Sequence, residues 1–289
     1  MNDNQPEKPH PAPAPDDNVE SWSGKSRGDE NFPVGSALIS ARLRPHVHAY
    51  YAFARNADDI ADSPDLPAAD KVRRLDIMEQ VLLGTRETGS PSALALRASL
   101  AETSIDPRHS TDLLVAFRQD ATKLRYANWA ELLDYCRFSA MPVGRHVLCL
   151  HGESEDTFPP SDALCASLQV LNHLQDLQKD LLALDRCYLP QTLLDRHGTS
   201  IDDLSRPYAT PGMRAVIDAL LDECDTLNRT AGALPERVRN RRLRLETAVI
   251  VGLAERLAAR LRRRDPLARR VKLTKPNALA ALLGALRHW

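Results

Sequence analysis

Glycine is scarce in this chain, and long apolar runs are absent. Only 12 of the 289 residues are glycine, and alternation of β-branched apolar with polar residues is hard to find, which disfavours a β-sheet protein. No stretch reaches about 18 consecutive apolar residues, so no transmembrane helix is predicted. The first residues also lack the apolar core of a secretory signal. Alanine, leucine and arginine are abundant instead, and these strong helix formers predict a helical protein.

Paired cysteines and a strong net charge are missing as well. The five cysteines include no Cys-x-x-Cys pair and no secreted disulfide framework, which predicts reduced thiols in a cytoplasmic protein. The formal net charge is −1, so no overall field attracts nucleic acid, and no nucleic-acid partner is predicted. A Gly-rich dinucleotide-binding signature is also absent from the sequence.

Composition divides the chain into a short tail and one large domain. Residues 1–25 carry five prolines by position 15 and many polar residues, which predicts a disordered tail. Apolar residues make up 43% of the chain and recur at helical spacing, so residues 26–289 are predicted to form a single all-α bundle with a central cavity. The central predicted helix covers 161–183, with Ser161 as its N-cap, and a short helix is predicted at 37–43.

Three oxygen-bearing side chains lie along the central predicted helix. Asn172, Asp176 and Asp180 are four residues apart, so on a helix they share one face, over roughly 12 Å at about 1.5 Å per residue. Leucines on the other faces would bury this helix in the core. A row of oxygens on a buried helix is costly unless a cation neutralises it. The stretch therefore predicts half of a metal and diphosphate site.

A second acidic helix is predicted earlier in the chain. Asp58 and Asp62 are also four residues apart, and most of their neighbours are apolar. Two such helices facing each other would hold Mg²⁺ between them, bridged to a diphosphate. Oxygen ligands without histidine favour Mg²⁺ over zinc or iron, and the Glu-x-x-His motif of di-iron bundles is absent. Ordinary solvated aspartate pairs remain the alternative interpretation.

Several segments together carry a family resemblance. The chain, from about residue 30 to residue 286, resembles the squalene/phytoene synthases, which are head-to-head prenyl transferases of the all-α isoprenoid synthase fold. The segments that carry the resemblance are 51–62 (YAFARNADDIAD), 120–126 (DATKLRY), 133–136 (LDYC), 172–180 (NHLQDLQKD) and 188–190 (YLP). The resemblance implies a prenyl diphosphate substrate and Mg²⁺ as cofactor.

The resemblance also implies roles for individual residues. The implied metal ligands are Asp58, Asp62, Asn172, Asp176 and Asp180. Arg55 corresponds to the diphosphate-binding arginine of the family, and the planar fork of a guanidinium suits that ligand. Tyr51 and Phe32 correspond to substrate-binding positions.

The remaining candidates are polar residues that could place water beside a carbocation. They are Tyr135, Asn31 and Gln169, which are the predicted catalytic residues. Simple packing would explain Tyr51, and a hydrogen bond to the backbone would explain Gln169, equally well.

Three further features are similar to one branch of the family, the hydroxysqualene synthases of bacterial hopanoid pathways. They are residues 30–34 (ENFPV), residues 142–145 (PVGR) and Gln175, which stands where an arginine is common. This similarity implies conversion of presqualene diphosphate and water to hydroxysqualene and diphosphate, with other hopanoid-pathway enzymes as possible partners. The alternatives are a condensing relative that makes presqualene diphosphate, phytoene or dehydrosqualene, and a non-catalytic assembly factor.

Basic residues accumulate towards the C-terminal end. Residues 236–275 contain fourteen Lys or Arg and four acidic residues. This is either a solvated basic face or a surface that attracts diphosphate or anionic lipid headgroups. We therefore expect a cytoplasmic protein with transient contact at the inner face of the membrane. A module that only binds membranes is a further hypothesis.

Overall fold

The computed structural model describes residues 17–20 and 39–288, and this part of the chain is α-helical. Twelve α-helices lie in these ranges: α1 (Arg44–Asp62), α2 (Ala68–Leu83), α3 (Pro91–Thr103), α4 (Arg108–Asp120), α5 (Trp129–Ser139), α6 (Met141–Leu150), α7 (Phe158–Leu184), α8 (Gln191–Arg196), α9 (Pro211–Ala231), α10 (Leu234–Arg237), α11 (Arg241–Arg263) and α12 (Lys275–Ala285). No strand forms in the described ranges, where Tyr126 and Pro190 make an isolated parallel bridge. The all-α prediction is confirmed.

Helix α7 lies at the centre of the bundle. It has 27 residues and packs against α5, α6, α9 and α11. Its buried apolar side chains recur three or four residues apart and face the core that α9 and α11 complete. A second hydrophobic cluster joins α1, α2, α3 and α4. Because α1 belongs to one cluster and α7 to the other, the space between them becomes the central cavity.

Helix α7 begins earlier than the sequence indicates. The prediction that Ser161 caps it is wrong, since α7 begins at Phe158 after a 3₁₀ turn, and Ser161 is buried within the helix. The prolines preceding Ser161 do not stop the helix because the first turn needs no backbone donor. Of the helix predicted at 37–43, the described residues 39–43 are not helical: they include a turn, and α1 begins at Arg44.

Residues 17–20 depart from the predicted disordered tail. The Val19 side chain is buried in the α1–α4 cluster, and its backbone nitrogen donates to the Gly89 carbonyl at 2.9 Å. The Glu20 carboxylate accepts from the Ser92 backbone nitrogen at 2.8 Å, at the N-terminus of α3. A single valine and a helix-capping carboxylate give no signal against a proline-rich background. Residues 1–16 and 21–25 lie outside the described ranges.

The described helices include none that is both long enough and apolar enough to cross a bilayer.

Gly144 sets the closeness of α6 and α7. A Cβ at this position would lie 2.7 Å from Cys165 Sγ and would also overlap Ser161 Oγ, both on α7. Only glycine lets the two helices approach this closely without displacing those side chains.

We expect Gly144→Ala to lower the free energy of unfolding by about 1–3 kcal/mol through overpacking, measured by urea denaturation. The same change in a Ser161→Ala/Cys165→Ala background should cost less, because the overlapping atoms are gone. Gly284→Ala is the matched control, since nothing lies within 4 Å of a Cβ there. An equal loss at both glycines would contradict the packing argument.

Candidate active site

The central cavity has a volume of about 440 Å³ and is bounded mainly by α1, α4, α5, α6, α7 and α11. Two kinds of side chain line it. The apolar ones include Val47, Ala54, Phe117, Val143, Val147, Leu148, Leu164, Leu168 and Ile250. The polar ones include Tyr51, Arg55, Asp58, Asp62, Asp120, Tyr135, Gln169, Asn172, His173, Asp180 and Arg186. Carboxylates and arginines therefore meet inside a largely apolar chamber.

On α1, Arg55 pairs with two nearby carboxylates of the same helix. Arg55 Nη1 lies 2.7 Å from Asp58 Oδ2, and Arg55 Nη2 lies 2.5 Å from Asp59 Oδ1. These pairs follow from the i, i+3 and i, i+4 spacing on one helix. Tyr51, one turn earlier, also lines the cavity. The α1 surface thus presents both a guanidinium and carboxylates to the same space.

Arg186 is a site residue that sequence reasoning missed. It follows α7, and its Nη1 donates to Asp62 Oδ1 at 2.6 Å while its Nη2 donates to the Ala61 carbonyl at 3.0 Å. Its side chain is almost fully buried, and nearby Asp120 and Asp62 raise its pKa against the effect of burial. No local pattern marks this arginine, because its partner is 124 residues away in the chain.

Asp120 anchors a buried cluster of tyrosines that the sequence motifs did not reveal. Tyr135 Oη donates to Asp120 Oδ2 at 2.8 Å, and Tyr188 Oη donates to Oδ1 at 3.5 Å. Burial raises the pKa of Asp120 to about 7, against the opposing effects of Arg186 and the tyrosine hydrogen bonds. The hydroxyl of Tyr135, a predicted catalytic residue, is therefore already committed to a carboxylate.

The polar stripe of α7 consists of Asn172, Asp176 and Asp180. Two of these side chains line the cavity, and the third contacts a neighbouring segment of the chain. Asn172, Asp180 and Gln169 line the cavity. Asp176 instead accepts from Arg270, whose Nε and Nη2 each lie 2.7 Å from one of its oxygens. Arg270 belongs to residues 264–274, which connect α11 to α12. The sequence placed Asp176 correctly on this helix but gave no hint of Arg270.

Gln175 also contacts the segment 264–274. Its amide nitrogen donates to the backbone carbonyl of Val271, and its side chain is buried. The residue that replaces the arginine common in the family thus binds backbone next to the Arg270–Asp176 pair.

His173 is a further cavity residue that the sequence analysis did not single out. Its ring stacks on Tyr188 with 3.5 Å between centroids, and its Nδ1 lies 4.0 Å from Asp180 Oδ2. Burial lowers the pKa of His173, so the ring is neutral at neutral pH. A flat, neutral, polarisable wall therefore stands beside the α7 stripe.

The proposed metal donors are compatible with Mg²⁺ in chemistry, although they are not gathered into a cluster. In residues 17–20 and 39–288, no three or more His, Cys, Asp or Glu side chains are placed to hold a metal. Guanidinium groups contact Asp58, Asp62 and Asp176 instead. An oxygen-only donor set suits a hard cation such as Mg²⁺, and the arginines beside it suit phosphate oxygens.

Asn31 and Phe32, which the sequence analysis placed in the site, lie outside the described residues.

Titration of Asp120 should make stability depend on pH. The unfolded carboxyl releases its proton near pH 3.9, but the folded one near pH 7, so the folded state binds more protons between these values. Wild-type stability should therefore fall, by a few kcal/mol at most, as pH rises through that window. Asp120→Asn, which keeps the acceptor for Tyr135, should lack this loss, as measured by urea denaturation at several pH values.

The control for this measurement is Asp134→Asn, a change at an exposed residue whose partner is Arg137. Its stability should follow wild type at every pH. If Asp120→Asn also ran parallel to wild type, Asp120 would titrate in its ordinary range.

Comparison with known proteins assigns the chain to a family. The squalene/phytoene synthase family model matches residues 25–277. Hydroxysqualene synthase from Rhodopseudomonas palustris is 46% identical over 264 residues, which cover 91% of this chain and 90% of that protein. Hydroxysqualene synthase from Sinorhizobium fredii is 46% identical over 260 residues, which cover 90% and 89%.

A solved structure is similar over most of its length. The crystal structure of squalene synthase HpnC from Alicyclobacillus acidocaldarius superimposes with a TM-score of 0.72 and 34% identity, covering 82% of this chain and 90% of that one. The structural similarity thus agrees with the match to the family model. The chain therefore belongs to the squalene/phytoene synthase family, as its motifs indicated.

Proposed function

We propose that this enzyme converts presqualene diphosphate and water to hydroxysqualene and diphosphate, as a step of squalene and hopanoid biosynthesis. The observation that carries the proposal is the meeting of oxygen-bearing stripes from α1 and α7 at one largely apolar cavity. The hydroxysqualene synthases that are 46% identical over about nine-tenths of the chain support this choice within the family.

The polar lining of the cavity would receive the diphosphate. Arg55 and Arg186 already face carboxylates there, and each guanidinium can exchange a carboxylate for phosphate oxygens. The residues that would hold Mg²⁺ are Asp58, Asp62, Asn172, Asp176 and Asp180. When bound, Mg²⁺ supplies the positive charge that stabilises the departing diphosphate.

The apolar lining would control the carbocation. Breakage of the carbon–oxygen bond sends the electron pair to the diphosphate and leaves a cyclopropylcarbinyl cation, which rearranges before capture. Walls such as Phe117, Leu164 and Leu168 exclude bulk water, so that capture occurs at a single carbon. A water oxygen then bonds to that carbon, and its released proton goes to the diphosphate.

Placement of that water needs a polar group near the cation. Gln169 lines the cavity, and we propose it as the water-placing residue among the described candidates. Tyr135 could serve only after releasing Asp120. Asn31, Phe32 and Tyr51 remain proposed contributors to substrate binding and water placement.

The chemistry of the proposed reaction indicates which enzymes are partners and where the protein acts. An enzyme that condenses two prenyl diphosphates must supply the substrate, so other enzymes of the pathway are proposed partners. We propose a cytoplasmic location with peripheral contact at the inner face of the membrane, because both the C30 chain of the substrate and the product are apolar.

The proposal predicts the product of a simple assay. With Mg²⁺ and without NADPH, presqualene diphosphate should give a C30 alcohol, while farnesyl diphosphate offered separately should remain unchanged. Extraction and mass spectrometry identify the product. Consumption of farnesyl diphosphate would instead place the chain among the condensing relatives.

Substitution of single carboxylates should affect turnover where they lie in the cavity but not where they lie on the protein surface. Asp62→Asn and Asp180→Asn should each lower kcat by at least about a hundredfold, since each removes a metal-binding oxygen charge and weakens electrostatic stabilisation of the leaving group. The control Asp134→Asn, on the exposed face of α5, should retain wild-type kcat. Unchanged turnover in the first two variants would exclude the proposed metal site.

A further inference from the structure

Helix α12 exposes an unusual apolar surface. Residues 278–286 contain no polar side chain, yet only one face of the helix is covered. Ala281 and Ala285 are buried, whereas the outward leucines remain open to solvent. The exposed fractions are 57% for Leu279, 42% for Leu282, 59% for Leu283 and 53% for Leu286. A helix that is apolar on all sides is normally enclosed on all sides, but no element within residues 17–20 and 39–288 covers the outer face of α12.

The covered face shows how α12 is held in place. It packs along α11, where a Cβ at Gly252 would lie 3.4 Å from Ala281 Cβ. Ala285 joins Leu245 and Ala248 in a small hydrophobic cluster. Small residues thus bring α12 close to α11 and fix its orientation, which leaves the four leucines directed away from the protein.

The charged residues that flank α12 in the chain have one sign. Residues 266–288 contain five Lys or Arg and no Asp or Glu. Lys272 and Lys275 precede the leucines, and Arg287 follows them, all three being exposed. Within the described ranges, Arg269, Lys272 and Lys275 make no ion pair with a carboxylate. An apolar strip flanked by cations complements an anionic lipid surface, where headgroup and acyl regions meet.

We propose that the outer face of α12 docks on anionic lipid bilayers. Leu279, Leu282, Leu283 and Leu286 would enter the boundary between headgroups and acyl chains, and the flanking cations would contact the headgroups. The exposed strip offers four leucines on one 11-residue helix, whereas a typical protein interface takes about 20–30 residues and roughly 800 Å² from each partner. A bilayer needs no such complementary area.

Arg262, near the end of α11, is a weaker candidate for this contact. Arg262 donates to Asp222 at 2.7 Å and to Asp225 at 2.6 Å, so its charge is already matched within the protein. Arg262 therefore adds little unmatched charge, whereas Lys272 and Lys275, which belong to the same basic stretch, are exposed and flank the leucines. The structure assigns the lipid contact to α12 and the residues that flank it.

Docking would also act close to the cavity. Residues 264–274, which lead directly into α12, hold Arg270 against Asp176 and Val271 against Gln175. A bilayer bound to α12 would therefore lie next to the segment that contacts the α7 stripe. The proposal concerns lipid binding and stands whether or not the enzyme makes hydroxysqualene.

Vesicle flotation of the full-length protein without substrate tests the proposal. Wild type should float with vesicles of phosphatidylcholine and phosphatidylglycerol, and markedly less with phosphatidylcholine alone. Leu279→Gln/Leu283→Gln, which leaves the charge unchanged, should reduce the partition coefficient on anionic vesicles at least tenfold. Lys272→Gln/Lys275→Gln should reduce it and weaken its dependence on salt.

The matched control is Leu83→Gln/Leu94→Gln, which changes exposed leucines on α2 and α3. It should bind vesicles as wild type does, and all variants should keep the wild-type circular dichroism spectrum. Sedimentation velocity distinguishes a second copy as the occupant: a wild-type dimer that the α12 variant converts to monomer, without vesicle binding, would overturn the proposal. Equal flotation of wild type and the α12 variant would also overturn it.

Discussion

The ion pair between Arg186 and Asp62 joins the end of α7 to the end of α1. The Arg186 guanidinium also donates to the Ala61 carbonyl, and its charge lies close to buried Asp120. Arg186 is buried whereas the Asp62 side chain is 25% exposed, so removing Asp62 would leave a buried guanidinium with Asp120 as its remaining neighbour, at a cost of at most about 3–5 kcal/mol. Arg186 thus links the ends of the two helices that carry the oxygen stripes, while Arg55 and Arg270 pair with carboxylates farther along them.

Apolar packing creates the space in which those charges meet. One hydrophobic cluster is built on α1 to α4, and the larger one on α7, α9 and α11. The side chains of neither cluster fill the space between α1 and α7, and this space is the cavity. The close contact of α6 with α7 at Gly144 fixes one wall of this space. A chamber with apolar walls and paired charges is suited to holding a diphosphate while it excludes water from a reactive cation.

Local periodicity explains what could be predicted. The i, i+4 spacing of Asp58 and Asp62, and the i, i+8 spacing of Asn172 and Asp180, was sufficient to place these side chains on single faces, and all four line the cavity. The motifs of the family were specific enough to be confirmed by comparison with known proteins. Arg186 and Arg270 could not be found in this way, because their carboxylate partners lie 124 and 94 residues away. Val19 was missed for a similar reason: a single buried side chain leaves no periodic signal.

The sequence by itself determined the helical class, the two acidic stripes and the family, since these depend on residues close together in the chain. Tertiary structure decided which arginine neutralises which carboxylate, that Tyr135 is engaged by Asp120, and that α12 keeps one face uncovered. These features arise only when distant helices pack, and burial then sets both the cost of each charge and the exposure of each leucine. The tertiary fold therefore sets the contacts within the site, although many of its residues can be identified from the sequence.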